Sequence, residues 1–146
     1  MKQIILIFIF IFTFAGTPTK KIIKTNNAPQ AIGPYSQAVL VGNTLYASGQ
    51  IAIDPKTNQF IGGDIEQQTK QVMENLKAVL NEAEMDFENV VSVNVYLSDL
   101  NNYKKFNSVY AEYFHENPPA RATVEVARLP KDALVEISLI AKNFKE

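Results

Sequence analysis

The stretch from Pro118 to Pro130, PPARATVEVARLP, places an arginine just after two prolines and at the start of an alternating run. Adjacent prolines stop a helix, and side chains along a strand alternate between its faces. Ala122, Val124 and Val126 therefore share one side, and Arg121, Thr123 and Glu125 the other. An arginine opening that second face has two readings: it caps a solvated edge, or it holds an anionic ligand. Three further stretches carry side chains able to do chemistry. Glu136 stands alone in LVEISLIA, an apolar setting that penalises a carboxylate unless it is paired or hydrogen-bonded. It is either an edge residue meeting solvent or a structural arginine, or a cleft carboxylate whose burial suits it to acid–base work. In QAIGPYSQAV, Gly33-Pro34 fixes a turn that aims Tyr35 from a loop, with a ring plugging that loop as the alternative. In YASGQI, the bare backbone at Gly49 after Ser48 either admits a ligand or simply marks a bulge.

Other chemistries are closed by composition. The chain has no cysteine and a single histidine, His115, so disulfides, thiolate metal sites and a cysteine nucleophile are excluded. No His, Cys and carboxylate set has the spacing of a zinc or non-haem iron site. No G-x-S-x-G turn accompanies His115, which reads as a polar residue at a helix end. Fourteen basic against fifteen acidic residues give a net charge of −1, without the cationic excess that nucleic-acid binding draws on. Nucleic acid is not an expected partner.

The first residues read as a separate object. MKQIILIFIFIFTFAG has one early lysine, an apolar run from Ile4 to Phe14, then small residues. The run is short for a bilayer span but fits the apolar region of a secretory signal. A buried strand is the competing reading, and the absence of alternation disfavours it. Lys20-Lys21 weighs mildly against translocation, and no cysteine follows to carry a lipid anchor. The expectation is a signal peptide over residues 1–16 and export to a periplasmic or extracellular space, with a cytoplasmic protein as the alternative. No stable membrane anchor is expected.

Residues 17–146 read as one domain, since 47% of the chain is hydrophobic and no linker or repeat interrupts it. SQAVLVGNTLYASGQI gives two strands around the turn at Gly42-Asn43. DIEQQTKQVMENLKAVLNEA gives a helix with Ile65, Val72, Leu76, Val79, Leu80 and Ala83 in one stripe, opened by an Asp64/Gln67 capping box. VVSVNVYLSDL is a strand with Val91, Val93, Val95 and Leu97 on one face. NNYKKFNSVYAEYF is a second amphipathic helix, whose stripe of Tyr103, Phe106, Tyr110 and Phe114 or Tyr113 reads as core. Strands follow from Ala122 and over Ala133–Ala141. The order strand, strand, strand, helix, strand, helix, strand, strand predicts an α+β domain. Both helices should pack on one face of a single mixed sheet. No helix remains for the other face, so self-association is expected to cover it.

AIGPYSQAV, ASGQI, VYLSDLNNY and PPARATVEVARLPKDALVEI, in that order, resemble the reactive intermediate deaminase A family, also called RidA or YjgF. The resemblance runs over about residues 20 to 144. It implies a chorismate-mutase-like fold, a homotrimer, and ligand clefts between subunits. It implies hydrolytic deamination of reactive enamines and imines, such as 2-aminoacrylate and 2-iminobutanoate, to 2-oxo acids and ammonia, with no cofactor and no metal. By motif, Arg121 marks the deaminating subgroup, and Tyr35, Ser48 and Glu136 match other cleft residues. The catalytic set implied is Arg121, Glu136 and Tyr35, with Arg121, Ser48, Gly49 and Thr123 binding substrate. A guanidinium matches the planar carboxylate of a 2-imino acid with two parallel charge-assisted hydrogen bonds. An imine carbon is already electrophilic, so positioning and proton management suffice. Thr123 departs from the cysteine common in that subgroup, where the family role falls to the backbone carbonyl. The leader is a second departure, because the family is usually cytosolic or organellar. A non-catalytic binder of small carboxylates on the same fold is the alternative function.

Overall fold

The computed structural model describes residues 19–114 and 116–144. The expected signal segment, residues 1–16, and His115 lie outside the described residues. In chain order the elements are β1 (Lys20–Ile23), β2 (Ala38–Val41), β3 (Thr44–Gln50), β4 (Ile53–Asp54), β5 (Gln59–Phe60), α1 (Ile65–Glu82), β6 (Val90–Leu97), α2 (Tyr103–Tyr110), β7 (Ala120–Glu125) and β8 (Val135–Lys142). Six of the strands form one sheet in the order β1-β2-β3-β8-β6-β7. Only β6 and β7 run parallel, joined across the sheet by α2, so the sheet is mixed as expected.

Local signals account for most boundaries. Gly42 takes φ 59°, which lets the β2–β3 hairpin close with Val41 opposite Thr44. Asp64 caps α1: its carboxylate accepts from the Gln67 backbone N–H at 2.9 Å, and Gln67 Oε1 accepts from the Asp64 N–H at 3.0 Å. The α1 stripe of Ile65, Val72, Leu76, Val79 and Leu80 is fully buried against the sheet. Opposing it are Leu45, Val93, Val95, Leu97, Ile137 and Leu139.

Two expectations need correction. Val91 does not share the inner face of β6. A bulge between Val90 and Ser92 lets Val90 take the buried place and turns Val91 outward, 37% exposed. The second helix is also shorter than NNYKKFNSVYAEYF. Residues 100–102 and 111–113 form tighter 3₁₀ turns, and only Tyr103–Tyr110 is α-helical. The Asp99 side chain caps the first of these turns through the Asn101 N–H at 2.8 Å, setting the chain's approach to the helix. Of the expected aromatic stripe, Phe106 and Tyr110 are buried, while Tyr103 is 42% exposed.

The face of the sheet away from the helices has no covering layer among the described residues. A row of side chains crosses it from Ile22 through Val39, Tyr46 and Ile140, with Ile22 and Tyr46 half exposed. Tyr96 and Val124 continue the apolar character on β6 and β7. The apolar side of PPARATVEVARLP thus faces outward, and Arg121, Thr123 and Glu125 face the helix layer.

Candidate functional site

A cleft of about 480 Å³ opens where β3 ends against β8. Tyr35, Ser48, Gly49 and Glu136 line it together, with Ile51 and Pro130 among the apolar walls. The β3–β8 register shifts between Ala47 and Gln50, so Ser48-Gly49 forms a bulge beside Glu136. A Cβ at Gly49 would overlap the Glu136 carboxyl group, so a side chain here would push that acid out of its present place. Ser48 is tied down by two bonds, its hydroxyl donating to the Ser36 carbonyl at 2.7 Å and its N–H to the Gln37 carbonyl at 3.0 Å. That hydroxyl oxygen keeps lone pairs for a donor in the cleft. Tyr35 folds back over its own loop, its hydroxyl 3.5 Å from the Ile32 N–H, while still lining the cleft. The residue is 51% exposed, on a turn closed by its own N–H donating to the Gly33 carbonyl at 2.8 Å.

Glu136 lies opposite Tyr96 on the uncovered face. It is half-buried, and burial pushes its carboxyl pKa above the ordinary carboxylate value. Among the described residues no arginine or lysine pairs with it, since the only ion pair there joins Arg128 to Asp132. A carboxylic acid shifted in this direction is better matched to proton transfer near neutral pH than a fully solvated one.

The loop bearing Tyr35 is anchored by a residue that sequence reasoning missed. Gln37 is fully buried, and the two hydrogens of its Nε2 are shared among the carbonyls of Thr25 (3.0 Å), Ala28 (3.1 Å) and Pro29 (2.7 Å). Its Oε1 accepts from the Thr25 N–H at 2.7 Å. Asn75 on α1 does similar work for the cleft wall, donating to the carbonyls of Ile51 (3.3 Å) and Ile53 (2.9 Å). Gln37→Leu should destabilise the chain by about 2–4 kcal/mol, since each buried group left without a partner costs about 1–3 kcal/mol. Urea unfolding measures this, and an unchanged midpoint would show that the loop is held by other means.

Arg121 and Thr123 are not in that cleft. Their register partners are Val93 and Val95, whose side chains are buried beneath the helices, so both point to the opposite side of the sheet from Glu136. The Arg121 guanidinium lies on α2. Its Nη2 donates to the Tyr103 hydroxyl and to Asn107 Oδ1, both at 2.9 Å, and its Cζ sits 4.5 Å from the Tyr110 ring centroid and 5.6 Å from that of Phe106. No carboxylate among the described residues neutralises it. Burial pushes the Tyr110 pKa up to about 12, with the Arg121 guanidinium beside its hydroxyl working the other way, and no hydrogen bond of good geometry reaches that buried hydroxyl. The Thr123 hydroxyl is likewise buried without a partner. Tyr103 and Asn107 stand four residues apart on α2, a helical spacing that could have marked them as one constellation.

Among the described residues no three His or carboxylate side chains converge as a metal site would, and no helix is long and apolar enough to cross a membrane. The family model described as Endoribonuclease L-PSP matches residues 25–143. A RutC family protein of Pyrococcus horikoshii is 57% identical over 127 residues, 87% of this chain and 99% of that protein. The human 2-iminobutanoate/2-iminopropanoate deaminase is 46% identical over 122 residues, covering 84% of this chain and 89% of that one. The crystal structure of E. coli TdcF with bound serine superposes with a TM-score of 0.81 at 40% identity, covering 84% of this chain and 98% of that one. The chain belongs to the endoribonuclease L-PSP family, which is the RidA/YjgF family. The α+β architecture is the one its structural relatives share.

Proposed function

We propose that this protein is a deaminase that hydrolyses 2-imino and 2-enamino acids, such as 2-iminobutanoate and 2-aminoacrylate, to 2-oxo acids and ammonia. The observation that carries the reading is the cleft itself. A half-buried acid with a raised pKa, a loop tyrosine and a glycine that keeps the acid accessible meet on an uncovered sheet face. The human relative named for this activity adds to it.

In this reading a homotrimer covers the open face and brings Arg121 of one copy to the Glu136 cleft of the next. Arg121 holds the substrate carboxylate. Glu136 takes a proton from water as the water oxygen bonds to the imine carbon, and the C=N electron pair moves to nitrogen. Glu136 returns that proton to nitrogen and relays the proton of the new hydroxyl to the same nitrogen, and the C–N bond breaks as the carbonyl forms, releasing ammonia. An enamino acid enters the same route once a proton has moved from its nitrogen to its β-carbon. Tyr35 and Ser48 supply hydrogen bonds that orient substrate and water, and Gly49 leaves room for them. Thr123 contributes through its backbone carbonyl, since its side chain faces the helix layer.

The test is to generate 2-iminobutanoate freshly in the presence of the full chain and follow its loss against uncatalysed hydrolysis. Faster release of 2-oxobutanoate supports the enzyme. Carboxylate binding without acceleration supports the alternative, a non-catalytic binder of small carboxylates. A bound amino acid in the structure of E. coli TdcF is what keeps that alternative in play.

We also propose that residues 1–16 are removed as an export signal, on the strength of the apolar run from Ile4 to Phe14. Intact-mass analysis from the native cell should find a chain beginning after about residue 16. A cytosolic chain retaining Met1 would contradict this.

A further inference from the structure

We infer that Tyr103 is a built-in stand-in for the ligand: its hydroxyl occupies a position on the Arg121 fork that a substrate carboxylate must take over. The inference rests on the reading of Arg121 as the carboxylate anchor. A guanidinium grips a carboxylate with two parallel N–H groups on adjacent nitrogens, either Nε with Nη2 or Nη1 with Nη2. Arg128 shows the first grip within this molecule, with Nε 2.7 Å from Asp132 Oδ1 and Nη2 3.2 Å from Oδ2. Both grips need a hydrogen on Nη2.

At Arg121 that nitrogen is fully used. One hydrogen goes to the Tyr103 hydroxyl and the other to Asn107 Oδ1, each at 2.9 Å. No two-pronged carboxylate grip forms until one acceptor leaves. Asn107 sits in the second turn of α2 and is partly buried. Tyr103 is the first residue of α2 and 42% exposed, and its ring centroid lies 5.8 Å from the guanidinium carbon, so its ring is held less closely than that of Tyr110. It is the acceptor that yields. The Tyr110 and Phe106 rings hold the guanidinium from one side throughout, so the exchange does not require the arginine to move.

Charge decides which ligand can make the exchange. A carboxylate is a stronger acceptor than a neutral phenol oxygen and displaces it, whereas a neutral ligand gains nothing over the bond it breaks. Tyr103 therefore lowers the affinity of any ligand that must take over the fork, by about one hydrogen bond. Replacing it by phenylalanine keeps the ring and removes the competitor.

The test is titration of the full-length protein and its Tyr103→Phe variant with 2-oxobutanoate and with the neutral amide of the same acid. The variant should bind the acid about 3- to 10-fold more tightly, the size of one net hydrogen bond, and the amide tighter by no more than that factor. If the protein is the proposed deaminase, KM for the imine should fall in step. Acid binding equal to or weaker than that of the unmodified protein overturns the stand-in, the weaker result making Tyr103 a support for Arg121. If neither protein binds the acid, the anchor reading of Arg121 fails, and the stand-in falls with it.

Discussion

Arg121→Ala should lower kcat/KM for 2-iminobutanoate by about 2–5 kcal/mol of transition-state binding, some 30-fold or more, while the fold survives. The arginine makes no ion pair whose loss would strand a buried charge, and its hydrogen-bond partners Tyr103 and Asn107 both reach solvent in part. What the variant loses is charge held ready without a counterion. Arg121→Lys should fail largely as well. An ammonium cannot satisfy Tyr103 and Asn107 while presenting a planar fork to a carboxylate. Steady-state kinetics beside a thermal melt decides the matter. Near-normal turnover in either variant would refute the anchor role, and collapse of the fold in Arg121→Ala would make its role structural.

Glu136→Gln should cut turnover by about 10²–10⁴-fold, the usual range for losing a positioned acid–base group. The same change carries a stability signature with a definite sign. Burial raises the carboxyl pKa in the folded chain above its unfolded value, so the folded state binds more protons between the two values. Stability is therefore greatest below the unfolded pKa and declines as pH rises through the folded one. Glutamine cannot ionise and escapes that decline. The variant should melt no lower than the parent at neutral pH, and the gap between them should close in acid. A lower melting temperature at neutral pH would show that the ionised carboxylate is a structural partner instead. Full activity in the glutamine variant would remove Glu136 from the reaction.

Much of the framework was readable from residue patterns because its determinants are local. The Asp64/Gln67 box, the Gly42 turn and the helical stripe of α1 each lie within a few residues, and each appears as expected. Counting helices against sheet faces also foresaw the uncovered face. What could not be read depends on contacts across the chain. The bulge that exchanges Val91 for Val90 is set by pairing with β8, about fifty residues on. The small β4–β5 hairpin was not anticipated, although Asp54, which accepts from the Lys56 N–H at 2.8 Å, and Asn58 at φ 56° carry its turn chemistry. Gln37 and Asn75 looked like ordinary polar residues, and only their buried carbonyl partners reveal what they do.

The candidate site divides along the same line. Tyr35, Ser48, Gly49 and Glu136 were picked separately, and the fold collects them into one cleft. Arg121 and Thr123 were expected beside them and lie on the other side of the sheet. Alternation along PPARATVEVARLP correctly paired Arg121 with Thr123 and Glu125. It could not say which side would meet the helices: an apolar side such as Ala122, Val124 and Val126 would ordinarily face them, yet here it faces outward and the polar side lies beneath α2. The separation is the strongest structural reason for a site shared between copies of the chain.

Mixing two inactive variants tests that claim most directly. Arg121→Ala and Glu136→Gln chains, refolded together in equal amounts, each lack one half of the site. If a site takes Arg121 from one copy and Glu136 from its neighbour, random assembly restores a complete site about one time in four, and about a quarter of the parent deaminase activity should return. If both residues act within a single chain, every site in the mixture stays defective, and activity no greater than that of the separate variants would contradict the account.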